Sequence, residues 1–245
     1  MRTRLLLAAL WLGVPGCASG TETGNPSLTA SLSFSAHSSK PNVVAVREGA
    51  AAVVVSEVWL SLGPVALLEG DDCAAGAGRY ESAALGVGNH AAAQPGHTDL
   101  SAEASAYCSL ELEFVPSVEV PAGAPAALSG RSIAVAGELA DGTSFLIVSG
   151  FEGRVPVLAV DTSFALSEGE AAMLLGFDLA TWLDGIDLAE VPREDDGSIL
   201  IDAERNAELV TAFESALPNG LELYRDRDAD GRLDEDPELI ARGSP

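Results

Sequence analysis

Hydrophobicity that alternates residue by residue constrains this chain more than any other feature. Residues 27–35 read SLTASLSFS, with Leu28, Ala30, Leu32 and Phe34 on one side and Thr29 and the serines on the other. Residues 108–115 (CSLELEFV) do the same, setting Leu110, Leu112 and Phe114 against Ser109, Glu111 and Glu113. A period of two belongs to a β-strand, whose successive side chains point to opposite faces, and it cannot be laid along one face of a helix. Acid pairs such as Glu111 and Glu113 therefore read as the wet face of a strand rather than as a catalytic dyad.

The pattern recurs along most of the chain. Residues 51–62 are rich in valine and end in Val58-Trp59-Leu60, which suits a strand buried on both faces. Two apolar runs, 132–139 and 144–149, flank Ala140-Asp141-Gly142-Thr143. Asp-Gly between such runs predicts a hairpin, because the turn needs a positive φ that glycine adopts without penalty. Residues 155–166 and 171–179 continue the series. The expectation is a mainly β fold of roughly seven to nine strands in antiparallel order, most simply a β-sandwich. The strand spacing resembles that of transthyretin-like and immunoglobulin-like sandwiches.

One helix is expected late, over 203–217, where Ala207, Val210, Phe213 and Leu217 share a face. Asp202 or Asn206 stands ready to cap it, and Pro218-Asn219-Gly220 ends it. Residues 178–183 (DLATWL) suggest a single helical turn that packs Trp182 on the sheet.

The start of the chain is of another kind. Arg2 and Arg4 precede an apolar run over 5–14 (LLLAALWLGV). Ten residues are too few for a membrane-spanning helix but fit the apolar part of a secretory signal. Val14-Pro15-Gly16-Cys17 resembles the lipobox of bacterial lipoproteins. The resemblance implies that residues 1–16 are removed and that Cys17 carries the lipid, diacylated on its thiol and acylated on its new amino group. Several acyl chains on one residue give stable anchoring. A plain signal cut at Ala18 or Gly20 is the alternative. Ala18 stands where inner-membrane lipoproteins of diderm bacteria resemble one another in carrying Asp, which implies the outer membrane. Thr21-Glu22-Thr23-Gly24-Asn25-Pro26 is similar to a string that follows the modified cysteine in uncharacterised myxobacterial lipoproteins. That likeness implies a class and a compartment but no mechanism. The divisions read as a signal over 1–16, a tether over 17–27 reaching roughly 20 Å if flexible, a sandwich over 28–200, and a helix with an acidic segment over 201–245.

Charge narrows the partners. The 245 residues hold 13 Lys plus Arg and 37 Asp plus Glu, a net charge of −24, and loss of Arg2 and Arg4 makes the mature chain more negative still. Such a surface repels phosphate backbones, so no nucleic-acid partner is expected. It repels anionic headgroups too, so the body stands off the bilayer and touches it through the anchor alone. Hydrophobic residues at 47% are enough to build a core, which argues against disorder. With Cys17 lipidated, Cys73 and Cys108 remain as a pair, which an oxidising compartment would join. Closing that loop would stabilise by roughly 3–4 kcal/mol on the chain-entropy model. The enclosed segment is rich in Gly and Ala and is expected to be poorly ordered. Its His90 and His97, with Asp99, are read as solvated loop residues rather than metal ligands; His37 is the third histidine.

Most chemistry is missing from the motifs. HExxH, GxSxG, the P-loop and the dinucleotide fingerprint do not occur. Asp71-Asp72 and Asp195-Asp196 read as solvated turns. One segment stands apart: Asp226-Arg227-Asp228-Ala229-Asp230-Gly231-Arg232-Leu233-Asp234 has the DxDxDG form shared by EF-hand, dockerin and thrombospondin-type-3 calcium loops. Calcium takes six to eight oxygens, and alternate residues of a tight loop can aim three carboxylates at one point. The expected ligands are Asp226, Asp228, Asp230, the Arg232 carbonyl, Asp234 and Glu238, with Leu233 anchoring the loop. Pro237 occupies the place of the bidentate Glu, so Asp236 or Glu238 is expected to substitute for it, with looser geometry. The functional expectation is a lipid-anchored, non-enzymatic envelope module with calcium as cofactor and a protein or glycan partner. A hydrolase with carboxylates assembled from separate strands is the alternative.

Overall fold

The computed structural model describes residues 24–38, 45–47, 52–71, 73, 78–91 and 96–245. Cys17 and the expected signal over 1–16 lie outside the described residues, as does Asp72. The strands are β1 (Ser27–His37), β2 (Ala45–Arg47), β3 (Val53–Glu69), β4 (Arg79–Glu81), β5 (Gly86–Asn89), β6 (Gly96–Glu103), β7 (Ala106–Phe114), β8 (Ile133–Leu139), β9 (Ser144–Ser149), β10 (Gly153–Ala159), β11 (Phe164–Ala165), β12 (Ala172–Asp178), β13 (Ile199–Ile201), β14 (Leu221–Arg225) and β15 (Glu238–Gly243). Among the described residues two α-helices, α1 (Leu179–Trp182) and α2 (Ala207–Ala216), and three short 3-10 turns accompany them.

The fold is mainly β, and every alternating segment becomes a strand. All fifteen join in a single sheet whose main path runs β13-β9-β8-β3-β7-β10-β15-β14-β12-β1-β6. The long strand β3 pairs with β8 through its first half and with β7 through its second. On its other side β3 pairs with β4, and β6, at the far end of the path, lies against β4. The sheet therefore curls back on itself and wraps its own core. Inward residues keep the expected period: Ala30, Leu32 and Phe34 of β1 and Leu110, Leu112 and Phe114 of β7 are at most 1% exposed.

Purely antiparallel order is corrected. β1 runs parallel to β12, with Ser31 beside Ala172, and β13 runs parallel to β9. Alternation reveals a strand and its faces but carries no information on which distant strand lies beside it. The segment inside the Cys73–Cys108 loop is also more ordered than its composition suggests. It supplies β4, β5 and β6, and β6 pairs with β1 over eight residues from Ser27–Glu103 to Phe34–Gly96. Backbone hydrogen bonds to a well-formed neighbour order a segment that has few apolar side chains of its own.

The late helix is shorter than expected. The Asp202 carboxylate accepts N–H bonds from Glu204 (2.9 Å) and Arg205 (2.7 Å), closing a turn before α2 begins. Asn206 adopts φ 63° and donates its amide to the Leu200 carbonyl at 2.9 Å, so neither side chain caps α2. The single turn at 178–183 forms as expected: the Asp178 carboxylate accepts the Ala180 N–H at 3.0 Å, and Trp182 is fully buried. Residues beyond 200 also feed the sheet, since β14 and β15 lie between β12 and β10. Their connection is the acidic loop.

Candidate metal centre

The acidic loop is the turn of the β14–β15 hairpin. Asp226 still belongs to the sheet, because its N–H donates to the Ala172 carbonyl at 3.1 Å. That bond pins the first aspartate while the chain beyond it turns out. Ala229 (φ 56°) and Gly231 (φ 72°) take left-handed conformations, and glycine at 231 tolerates this without strain. Successive carboxylates fold the loop on itself. Asp226 Oδ2 accepts the Gly231 N–H at 3.0 Å, and Asp230 Oδ1 accepts the Arg232 N–H at 2.8 Å. Asp228 Oδ1 faces the Asp230 N–H at 3.4 Å.

One carboxylate oxygen from each of Asp226, Asp228 and Asp230 lies within 4.8 Å of the other two, which is room for a single cation. Asp226 is only 4% exposed, and its Oδ1 is buried with no hydrogen-bond partner. An ionised buried oxygen without a partner is costly, and a cation would compensate it. Its carboxyl is pushed above the usual carboxylate range, first by burial, against the stabilising Gly231 N–H, and further by the charges of Asp228 and Asp230. Asp228 and Asp230 are exposed. Leu233 anchors the loop as expected, packing with Leu174, Tyr224 and Leu239 on the outer face of the sheet.

Other expected ligands fall elsewhere. Glu238 is drawn away: its carboxylate pairs with Arg227 at 2.7 Å, and its backbone opens β15 opposite Arg225. Asp234 is half-buried and does not join the three-aspartate cluster. Arg232 has an exposed side chain and enters the loop through its N–H bond to Asp230.

The disulfide expectation is met, with Cys73 and Cys108 bonded and their Cα atoms 5.4 Å apart. Glu111 and Glu113 occupy the outer face of β7, where they pair with Arg79 at 2.6 Å and Arg154 at 3.5 Å. Asp71 is exposed and accepts the Ser163 hydroxyl at 3.2 Å. Asp196 closes its turn by accepting the Ser198 N–H and hydroxyl at 2.9 and 2.6 Å. His97 is exposed and meets Asp99 at 3.1 Å.

His90 is the correction: it is buried rather than solvated. Its ring lies edge-on to Phe34 and Phe177, with centroids 5.8 and 5.3 Å away. Burial drives its pKa down to about 4, against a smaller opposing effect from a hydrogen bond to the Phe34 backbone. A polar group on the outer face was also missed. His37 is 4% exposed, its Nε2 stands 3.8 Å from Glu222, and the Tyr224 hydroxyl donates to the same carboxylate. Gly176 makes room for the imidazole, since a Cβ there would sit 2.5 Å from His37 Nε2. The available signal was the continuation of the β1 alternation, which puts His37 on the same face as Ser33 and Ser35.

No family model matches this chain, and no curated protein matches it. Among solved structures, MbnP from Methylosinus trichosporium aligns with a TM-score of 0.38 at 14% identity, covering 64% of this chain and 78% of that one.

Proposed function

We propose that this chain is a lipid-anchored protein of the cell envelope, held in the outer membrane by Cys17. In this reading it is a non-enzymatic binding or structural module whose β14–β15 loop is stabilised by calcium. The observation that carries the calcium reading is Asp226, a buried carboxylate with an unpartnered oxygen, beside Asp228 and Asp230. The anchor is supported by the apolar run and the lipobox-like residues before Cys17. The curled sheet is taken as a transthyretin-like or immunoglobulin-like sandwich whose two layers share β3. A hydrolase has less support, because Glu111 and Glu113 are engaged by arginines and Asp196 by its own turn.

Two experiments test the proposal. A ligand that binds only the folded state stabilises it by about 2.7 kcal/mol at a hundredfold excess over Kd. For a domain of this size that raises Tm by roughly 5–10 °C. With Glu238 occupied by Arg227, the affinity should resemble that of extracellular modules, about 10⁻⁴–10⁻³ M. Asp228→Ala should abolish most of the calcium shift, and Asp196→Ala should leave it unchanged. Equal shifts in wild type and Asp228→Ala would reduce the loop to a solvated acidic turn. For the anchor, the native protein should partition into detergent and Cys17→Ser should release it. An intact mass showing an unacylated N-terminus would remove the anchor from the reading.

A further inference from the structure

The outer face of the sheet carries a small apolar patch of its own. Leu174 of β12 pairs with Tyr224 of β14, and Tyr224 pairs with Leu239 of β15, so the three stand in a row across neighbouring strands. With strands about 4.8 Å apart, the row spans roughly 10 Å. The three pack with Leu233 in a cluster separate from the main core. Leu174 and Tyr224 are only 1% and 7% exposed, although they face outward. Leu233 contributes to that cover, and it is the one member of the cluster that belongs to no strand. Its loop is otherwise wet: residues 227–230, 232, 235 and 236 are all exposed.

Two points fasten this loop to the sheet. The Asp226 N–H holds its start on the Ala172 carbonyl, and Leu233 holds its far half on Leu174. Between them the loop bonds to itself, through Asp226 to Gly231 and Asp230 to Arg232. Arg227 and Glu238 form an exposed ion pair, which contributes little. Burial of one leucine favours the docked loop by a factor of roughly 10–100. Two effects oppose it. Docking buries the Asp226 carboxylate with Oδ1 unpartnered, and it brings oxygens of Asp228 and Asp230 within 4.8 Å of that carboxylate. Both effects arise from uncompensated charge, and a cation held by the three oxygens removes both.

We infer that loop 226–237 is a calcium-held flap over the patch of Leu174, Tyr224 and Leu239. This rests on the calcium reading proposed above. The ion joins Asp226, which is tied to β12, to Asp228 and Asp230, which set the path of the chain through Gly231 to Leu233. With the ion bound the flap stays down. Without it Leu233 lifts and the patch meets water. Calcium thereby controls how much apolar surface this face presents, and Leu233 is the residue through which it acts.

Thiol labelling tests the flap in the Cys17→Ser chain, where Cys73 and Cys108 are bonded to each other and an introduced cysteine reacts alone. Leu233→Cys reports on the flap, and Val135→Cys, at a fully buried position of β8, reports on unfolding of the whole. In chelator the thiol at 233 should label at least about tenfold faster than the thiol at 135, as a local opening would. A hundredfold excess of calcium over Kd should slow labelling at 233 about 100-fold, and Asp228→Asn should abolish the slowing. Because Leu233→Cys shortens the plug, the uncharged apolar dye Nile red is added to the chain with Leu233 intact. Its fluorescence should rise on chelation and fall again with calcium. Equal labelling at 233 and 135 means that the loop opens only with the whole protein, and overturns the flap. Calcium that raises Tm but changes neither labelling at 233 nor dye binding also overturns the flap and spares the calcium loop. No calcium effect on Tm, labelling or dye overturns both.

Discussion

Lowering the pH from about 6.5 to 4 should cost the folded state about 3 kcal/mol through His90 alone. The folded pKa of about 4 lies below the ordinary 6.5 because the imidazole is packed against Phe34 and Phe177. Each unit of difference is about 1.4 kcal/mol. The sign follows from proton binding: below 6.5 the unfolded chain takes up a proton that the folded chain refuses until about 4. Stability attributable to His90 is thus complete above 6.5, falls as the pH drops through this window, and is constant below it. Asp226 acts oppositely in the ion-free protein, since its raised folded pKa favours the native state on acidification. Urea titrations of wild type and His90→Gln at a series of pH values separate the two, because carboxylate contributions are common to both proteins. The difference in unfolding free energy between them should shrink by about 3 kcal/mol between pH 7 and 4. A constant difference would mean that His90 charges freely in the native state and is not buried as described.

Trp182→Ala should be more damaging at neutral pH, by about 3–5 kcal/mol. The indole is fully buried, with Phe177 at 5.5 Å and Phe213 edge-on at 6.0 Å, so it joins α1, β12 and α2. Its Nε1–H donates to the Leu217 carbonyl at 3.1 Å, tying α1 to the end of α2. Truncation opens a cavity among these rings and strands that carbonyl. For a chain of this size the loss corresponds to a fall in Tm of roughly 6–20 °C. Trp182→Phe keeps most of the volume and loses the hydrogen bond, so it should cost about 1–2 kcal/mol. Thermal unfolding of the three proteins decides the matter: if Trp182→Ala costs no more than Trp182→Phe, the ring cluster does not organise the helices.

Legibility in the sequence followed the range of the interactions involved. Faces and positions of β1, β7, β8 and β9 could be read from alternation, because burial of one strand face is a local pattern. The Asp141-Gly142 hairpin was readable because a turn chemistry enclosed it. Pairing was not readable: that β1 lies beside β12 depends on chain closure over a long distance, which no local pattern records. Strands of two to four residues, such as β11 and β13, are too short to show a period. For the candidate centre, spacing correctly brought Asp226, Asp228 and Asp230 together. Glu238 was lost to Arg227, an ion pair across the hairpin that depends on the register of β14 against β15. His90 escaped because its neighbours in sequence are small and polar, while the rings that bury it come from β1 and β12.

The central position of β14 and β15 has a consequence for how the chain comes to be folded. They follow every other described strand in the sequence, yet they fill the space between β10 and β12. In a chain delivered N-terminus first, those two strands wait with open edges across a gap of roughly 10–15 Å. Unpaired edges recruit other strands. A nascent chain stopped before residue 221 would therefore be left sticky rather than merely short, and quality-control proteases would meet it in that condition. Late insertion of this hairpin into a waiting slot makes its arrival the step that closes the sheet between β10 and β12.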